Sequence, residues 1–282
     1  YVAMDSADTW ANPWLFKLDE KNCPTQVAGC PPDGFSATGQ LWGNPLYNWE
    51  VHRNSGYEWW IKRISNCFRL YDVVRIDHFR GFDEYYAIPY GDKTAENGWW
   101  EKGPGIDLFR AISARLGDRE IIAEDLGYMT DSVKQLVEES GYPNMKVIEF
   151  AFDERDTGNA SDYLPHNYPR NCVVYTGTHD NETLVSWLED ITPAERRQVR
   201  EYLNNFRDSG KELCQDLICL VMRSVANLCI IPMQDYLGLD NSARMNQPST
   251  LGKNWKWRLK EGQFTKELQK EMKTLAVRYG RQ

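Results

Sequence analysis

The sequence predicts an α/β fold built from repeated strand–helix units around a parallel sheet. Three observations carry this expectation. Short apolar runs rich in β-branched residues recur along the chain, helical patterns lie between them, and polar or charged residues collect where several of the runs end. The runs at 72–76, 120–123, 146–150, 172–175 and 228–233 are largely apolar rather than alternating, as strands covered on both faces are.

Taken in order, residues 1–4 read as the tail of a further strand, closed by Asp5. Residues 23–49 and 87–105 are rich in Gly, Pro, Asn and aromatics and read as long inserted loops, a length that usually signals function in a compact domain. A helix is expected over 57–70, where Trp60, Ile64 and Phe68 recur at helical spacing. Thr130 opens a second helix running toward Glu139. Thr192-Pro193-Ala194-Glu195 is a capping-box pattern with proline at the first helical position, and predicts a helix through Phe206. Residues 211–227 form another long helical pattern that feeds the strand ending near Gln234. Five complete strands and one tail fall short of the eight in a closed (β/α)8 barrel. The expectation is therefore a TIM-type barrel whose first strands are missing from this chain, with 1–282 as the C-terminal greater part of one catalytic domain.

Composition narrows the function. The formal net charge of −8 opposes nucleic acid and anionic lipid surfaces and is compatible with a neutral ligand. No apolar run approaches the roughly 18 residues of a membrane helix, and nothing reads as a signal peptide, although Tyr1-Val2-Ala3 is not a translation start. The 7 cysteines are odd in number and lack Cys-x-x-Cys spacing, which argues against a zinc site and a disulfide framework and for a reducing compartment. Bacterial cytosol is the expected location, with a plastid as the alternative. Aromatic residues reach 13%, with 11 Trp and 15 Tyr. Composition alone favours a core role for them over sugar stacking.

The chemistry lies at the strand ends. Arg75-Ile76-Asp77-His78, Ala123-Glu124-Asp125, Tyr175-Thr176-Gly177-Thr178-His179-Asp180-Asn181 and Pro232-Met233-Gln234-Asp235 each follow an apolar strand. Active sites of parallel barrels are assembled at that edge from several strands. Glycosyl transfer needs a carboxylate to attack the anomeric carbon, a carboxylic acid to protonate the departing oxygen and a third group to hold the oxocarbenium-like sugar. Asp77 lies two residues beyond Arg75 and shares its face of the strand, which suits a nucleophile. Glu124 follows Ile121-Ile122-Ala123, where desolvation raises its pKa and suits a general acid. Asp180, between His179 and Asn181, is the natural third member. A single strand-end carboxylate is more often a cap or loop charge, as Asp125 is expected to be. His52 and His166 read as surface or structural histidines.

These segments also resemble the strand-end motifs of the amylomaltase, or disproportionating-enzyme, family. The resemblance takes in Arg75 to Phe82, Ala123 to Gly127, Tyr175 to Asn181, Pro31 to Ser36 with Thr38 to Pro45, Met233 to Leu239 and Arg244-Met245-Asn246. It implies a retaining 4-α-glucanotransferase acting on maltooligosaccharides and α-1,4-glucans without metal or organic cofactor. It further implies Asp77 as nucleophile, Glu124 as acid/base and Asp180 as transition-state stabiliser. Arg75, His78, His179 and Asn181 would contact the sugar, Asp33 would sit in a covering loop, and Gln40, Trp42 and Phe150 would line neighbouring subsites. The absent strands would be a partner supplied by the upstream part of the same enzyme. An α-amylase-like hydrolase or branching enzyme uses a similar carboxylate trio and is the alternative. A non-catalytic glucan-binding fragment is the alternative from another class.

Overall fold

The computed structural model describes residues 1–32, 36–127, 129–153, 160–206, 210–248 and 250–282. The chain divides into two compact units, Tyr1–Asn144 and Met145–Gln282.

In the first unit the strands are β1 (Gln26–Cys30), β2 (Gln40–Pro45), β3 (Val74–Ile76), β4 (Glu84–Pro89), β5 (Trp99–Lys102) and β6 (Ile121–Ala123). β3 and β6 pair in parallel, Val74 with Ile121 and Ile76 with Ala123, and Ala123 is in turn paired with Asn144, the first residue of β7 (Asn144–Val147). Helix Glu58–Cys67 buries Trp60 and Ile64, and helix Ile106–Leu116 buries Leu108, Phe109 and Ile112. Helix Asp131–Ser140 is capped by Thr130, whose hydroxyl accepts from Val133 N–H, and it ends at Gly141 in the left-handed conformation. Aromatic rings form much of this core. Trp60 lies 5.4 Å from Phe82, Phe82 lies 5.1 Å from Phe109, and Phe109 stacks on Phe79 at 4.8 Å. Phe79 is fully buried.

The two stretches expected as long loops contribute strands to a second sheet. β2, β1, β4 and β5 form a four-stranded antiparallel sheet in that order, with Val27 opposite Ile88 and Tyr86 opposite Trp100. Composition conceals it because the central pairing, β1 with β4, joins segments far apart in sequence whose contribution no local pattern reports. Gly29 is the residue that allows the close approach. A Cβ there would meet the Gln40 carbonyl oxygen at 2.1 Å and the Ile88 side chain at 2.4 Å.

The second unit holds β8 (Cys172–Tyr175) and β9 (Leu228–Ile230), paired in parallel with Val174 opposite Cys229. Helix Gly210–Met222 buries Leu213, Leu217, Ile218 and Val221. Helix Pro193–Leu203 begins with the expected capping box, both hydrogen bonds of the Thr192–Glu195 pair being made. Near the end of the chain, Arg281 donates to the carbonyls of Met222, Ser224 and Ala226, so one guanidinium covers the C-terminal end of helix Gly210–Met222 and the turn after it.

The α/β class and the parallel pairing, β3 with β6 in the first unit and β8 with β9 in the second, are as expected. Several boundaries differ: the helix expected at 211–227 spans Gly210–Met222, and the one expected to run through Phe206 ends at Leu203. Residues 1–4 contain no strand; Val2 is buried as a loop residue whose carbonyl accepts from Asn44 Nδ2 at 2.9 Å. The strand expected at 146–150 lies at Asn144–Val147 and gives way to a 3-10 helix, Ile148–Phe152. A short apolar run reads alike in either conformation, which is why the sequence pattern places it two residues late. The last strand stops at Ile230 rather than Met233, because Pro232 lacks an N–H for the ladder and instead caps helix Met233–Tyr236.

Candidate active site

In the first unit, β3 and β6 end side by side and deliver Asp77 and Glu124 at the positions just beyond the paired residues Ile76 and Ala123. Backbone hydrogen bonds continue past the strands. Glu124 N–H donates to Ile76 O at 3.0 Å, and Phe79 N–H donates to Glu124 O at 2.9 Å. The Glu124 carboxyl is gripped as well, Oε2 accepting from His78 N–H at 2.6 Å and Oε1 from Leu126 N–H at 2.8 Å. Burial raises the Glu124 pKa and the charge of Asp77 raises it further; the two N–H donors and Arg75 oppose this without reversing it. Asp77 differs sharply in setting. Its side chain is 75% exposed and paired with Arg75, Nη1 to Oδ1 at 2.7 Å.

His78 turns the chain from β3 into the 3-10 helix Phe79–Phe82 and does so with φ of 51°, a strained value for a residue with a Cβ. Burial, with Arg80 nearby, pushes its imidazole down to about 4, so it is neutral at ordinary pH. The Trp42 ring stands edge-on to His78 at 4.9 Å, and Trp42 Nε1 donates to Gln40 Oε1 at 3.2 Å. Gln40, Trp42, Arg75, Asp77, His78 and Glu124 thus belong to one neighbourhood, beside a cavity of about 30 Å³ lined by Tyr47, Trp49, Asp77, His78 and Tyr85. Asp33 lies outside the described residues.

In the second unit the loop after β8 carries His179, Asp180 and Asn181. Asp180 Oδ1 accepts from Asn246 Nδ2 at 2.5 Å, its backbone carbonyl accepts from Arg244 Nη2 at 2.6 Å, and His179 Nε2 lies 3.2 Å from Oδ2. Asn181 is engaged at both ends of its amide. Oδ1 accepts from the Thr178 N–H and hydroxyl, and Nδ2 donates to Glu149 at 2.9 Å. Phe150 is half-buried within Ile148–Phe152, its ring 5.4 Å from Tyr163. A cavity of about 150 Å³ opens among Thr178, His179, Asn181, Glu182, Gln234 and Arg244.

Three contributors have no role assigned by sequence reasoning. Arg244 and Asn246 hold Asp180; their segment belongs to the family resemblance, but nothing in its local pattern points to that contact. Trp255 has no local signal: its ring lies 5.1 Å from His179, its φ is 62°, and its N–H donates to Met245 O at 2.6 Å. A tryptophan in the left-handed region is a marked outlier, and such strain gathers at functional sites. Of the residues expected to be structural, Asp125 is buried and accepts from Asn144 Nδ2. His52 is structural too, though fully buried rather than at the surface, with Nε2 against the Leu15 carbonyl. His166 is exposed and hydrogen-bonded to Tyr202. Among the described residues no group of His, Cys, Asp and Glu is arranged to hold a metal ion, and no helix is long and apolar enough to cross a membrane.

Comparison with known proteins turns on residues 1–265, which match the sequence model of the family described as 4-alpha-glucanotransferase. The chain belongs to that family. The 4-alpha-glucanotransferases of Clostridium butyricum and Streptococcus pneumoniae are 49% and 50% identical to it across its whole length, which covers 57% and 55% of those proteins. The chloroplastic/amyloplastic 4-alpha-glucanotransferase of Solanum tuberosum is 45% identical, with 48% of its length covered. The chain therefore spans about half the length of the curated relatives it matches. Among solved structures, the amylomaltase from Streptococcus agalactiae in complex with acarbose superposes with a TM-score of 0.93 at 40% identity, over 99% of this chain and 56% of that one. The family match covers every strand end that carries a carboxylate singled out above.

Proposed function

We propose that this chain carries the catalytic carboxylates of a retaining 4-α-glucanotransferase that moves α-1,4-glucan segments between maltooligosaccharides. The observation that supports it most directly is the contrast between two carboxyl groups at adjacent strand ends. Asp77 is exposed and ion-paired, fit to attack an anomeric carbon. Glu124 is buried, with its pKa raised, fit to protonate the oxygen that leaves. Attack by Asp77 forms a glycosyl ester and breaks the glycosidic bond, whose oxygen takes the Glu124 proton. Glu124, now a carboxylate, removes a proton from the acceptor 4-hydroxyl as that oxygen displaces Asp77. Asp180, with Arg244 and Asn246 holding it, is the proposed stabiliser of the positively charged sugar. His78, His179 and Asn181 are proposed as sugar contacts together with Arg75, and Gln40, Trp42, Asp33 and Phe150 as subsite residues. Transfer prevails over hydrolysis when an acceptor is held in place and water is kept out, an effect of several kcal/mol. The parallel strands support reading the chain as part of a (β/α)8 barrel; bacterial cytosol is the proposed location, with a plastid, as in the name of the potato relative, as the alternative.

The test is incubation with maltotriose. Glucose together with maltopentaose and longer chains, at constant total reducing ends, is the expected outcome. Rising reducing ends with glucose and maltose would move the assignment to a hydrolase. No turnover by any preparation would count against the reading.

A pH prediction follows from Glu124. A carboxyl whose pKa is raised by folding contributes full stability below the ordinary carboxylate range and loses it as pH climbs through the raised value. The same loss removes the proton that the general acid must donate. The rate is therefore expected to fall on the alkaline side of its optimum, and Glu124→Gln to abolish that limb. Glu124→Gln should cost about 10²–10⁴-fold with maltotriose and far less with a glycosyl fluoride, whose leaving group needs no proton. Equal losses with the two donors would remove Glu124 from the acid role.

A further inference from the structure

The second unit contains a buried carboxyl group that the proposed chemistry does not use. Glu149, in the 3-10 helix Ile148–Phe152, is 4% exposed. Its Oε2 accepts from Asn181 Nδ2 at 2.9 Å, and its Oε1 has no hydrogen-bond partner among the described residues. Oε1 lies against the backbone of Gly177, where a Cβ would come within 2.7 Å of it. Three charged groups face it from neighbouring elements: Asp235 on helix Met233–Tyr236, Glu182 just beyond Asn181, and Arg244 after Asn241–Ala243. Burial and then Asp235 raise the carboxyl well above the ordinary range, and Arg244 and Asn181 do not compensate. Asp235 accepts from the Thr176 hydroxyl at 2.5 Å and Leu184 N–H at 2.8 Å, so of the two it is the better able to hold a charge.

We propose that Glu149 is a positioning residue that works in its neutral form, receiving the Asn181 side chain and through it setting the loop that bears His179 and Asp180. The path is short. Asn181 Nδ2 rests on Glu149, and Asn181 Oδ1 draws in both the N–H and the hydroxyl of Thr178, closing the loop across His179 and Asp180. The Thr178 hydroxyl also accepts from Asp180 N–H at 3.3 Å. A neutral acid has the shape and acceptor of a glutamine, whereas a carboxylate here would be a buried charge with one hydrogen bond and an acidic neighbour. Gly177 completes the seat, since any side chain at that position collides with the carboxyl group.

The role separates by three readouts on Glu149→Gln, Glu149→Ala and Asp235→Asn. In infrared spectra near neutral pH, recorded in a Glu124→Gln background so that the Glu124 acid does not contribute, the carbonyl stretch of a protonated carboxyl should be present with Glu149 intact and with Asp235→Asn, and lost on adding Glu149→Gln. An unchanged band intensity on adding Glu149→Gln would overturn the neutral form. Amide hydrogen exchange over 176–182 should be unchanged in Glu149→Gln and faster by about tenfold or more in Glu149→Ala, where the Asn181 amide loses its seat. Unchanged protection in Glu149→Ala would overturn the positioning role. The third readout, the maltotriose transfer rate, rests on the glucan-transfer reading. Glu149→Gln should keep the rate and Glu149→Ala should lose about 10–100-fold, mainly in kcat. Loss of protection with an unchanged rate would also overturn the role. Absence of turnover in the wild type would count against the transfer reading alone, because the infrared and exchange outcomes decide Glu149 without substrate.

Discussion

Asp77→Ala is expected to lower maltotriose turnover by about 10⁴-fold or more, or roughly 5.5 kcal/mol of barrier, with no matching loss of stability. The separation of the two effects follows from the setting of the side chain, which is three-quarters exposed and ion-paired with Arg75. Exposed substitutions of this kind change stability by about 0.5 kcal/mol or less. The rate loss arises because water does not replace a carboxylate positioned to form a glycosyl ester. A small anion should replace it in part. Azide supplied to Asp77→Ala, with a donor whose leaving group departs unaided, should restore turnover and give a β-linked glucosyl azide, since one displacement inverts what two retain. Turnover above about a tenth of wild type without azide would place the nucleophile elsewhere, and an α-linked azide product would contradict a vacated nucleophile site.

Phe79→Ala is the largest expected effect on stability. Phe79 is fully buried two residues beyond Asp77, stacks on Phe109 at 4.8 Å and contacts the rings of Phe82 and Tyr142. Truncating such a ring removes its transfer free energy and leaves a cavity, about 3–5 kcal/mol in total. For a unit of this size the melting temperature should fall by roughly 6–20 °C. Well below the new melting temperature the variant should keep most of its activity, because what Phe79 gives to Glu124 is a backbone N–H that alanine retains. A melting temperature within about 3 °C of wild type would mean that the site collapses around the missing ring.

Much of the candidate site is legible in the sequence, and the reason is local. Arg75, Asp77, His78, Glu124 and Asp180 each follow an apolar strand closely, and a strand followed by a polar turn is a pattern carried within about ten residues. The helix at 193–203 is equally legible, because Thr192 and Glu195 signal its start by themselves. What escapes depends on partners distant in sequence. Gln26–Cys30 looks like a loop until it meets Glu84–Pro89, and the glycine that makes it look irregular is the one that lets the strands approach. Glu149 passes for an ordinary polar residue at the end of an apolar run, although its environment comes from Asn181 and Asp235. Trp255 shows its significance only through a backbone angle and a ring contact with His179. The tryptophans divide by position: Trp60 and Trp187 are core residues, whereas Trp10, Trp14, Trp42, Trp99, Trp100 and Trp255 are exposed.

The main-chain hydrogen bonds that tie Glu124 to Ile76 and Phe79 bear on how such a protein changes over evolutionary time. Main-chain groups are the same whatever the side chain, so the spacing between the proposed attacking and protonating groups, Asp77 and Glu124, is inherited with the strand pairing itself. Mutation is then free to explore the residues around it, among them Gln40, Trp42 and the segment bearing Trp255. Relatives that prefer different glucan lengths are expected to diverge there while the geometry of bond breaking passes unchanged from one to the next.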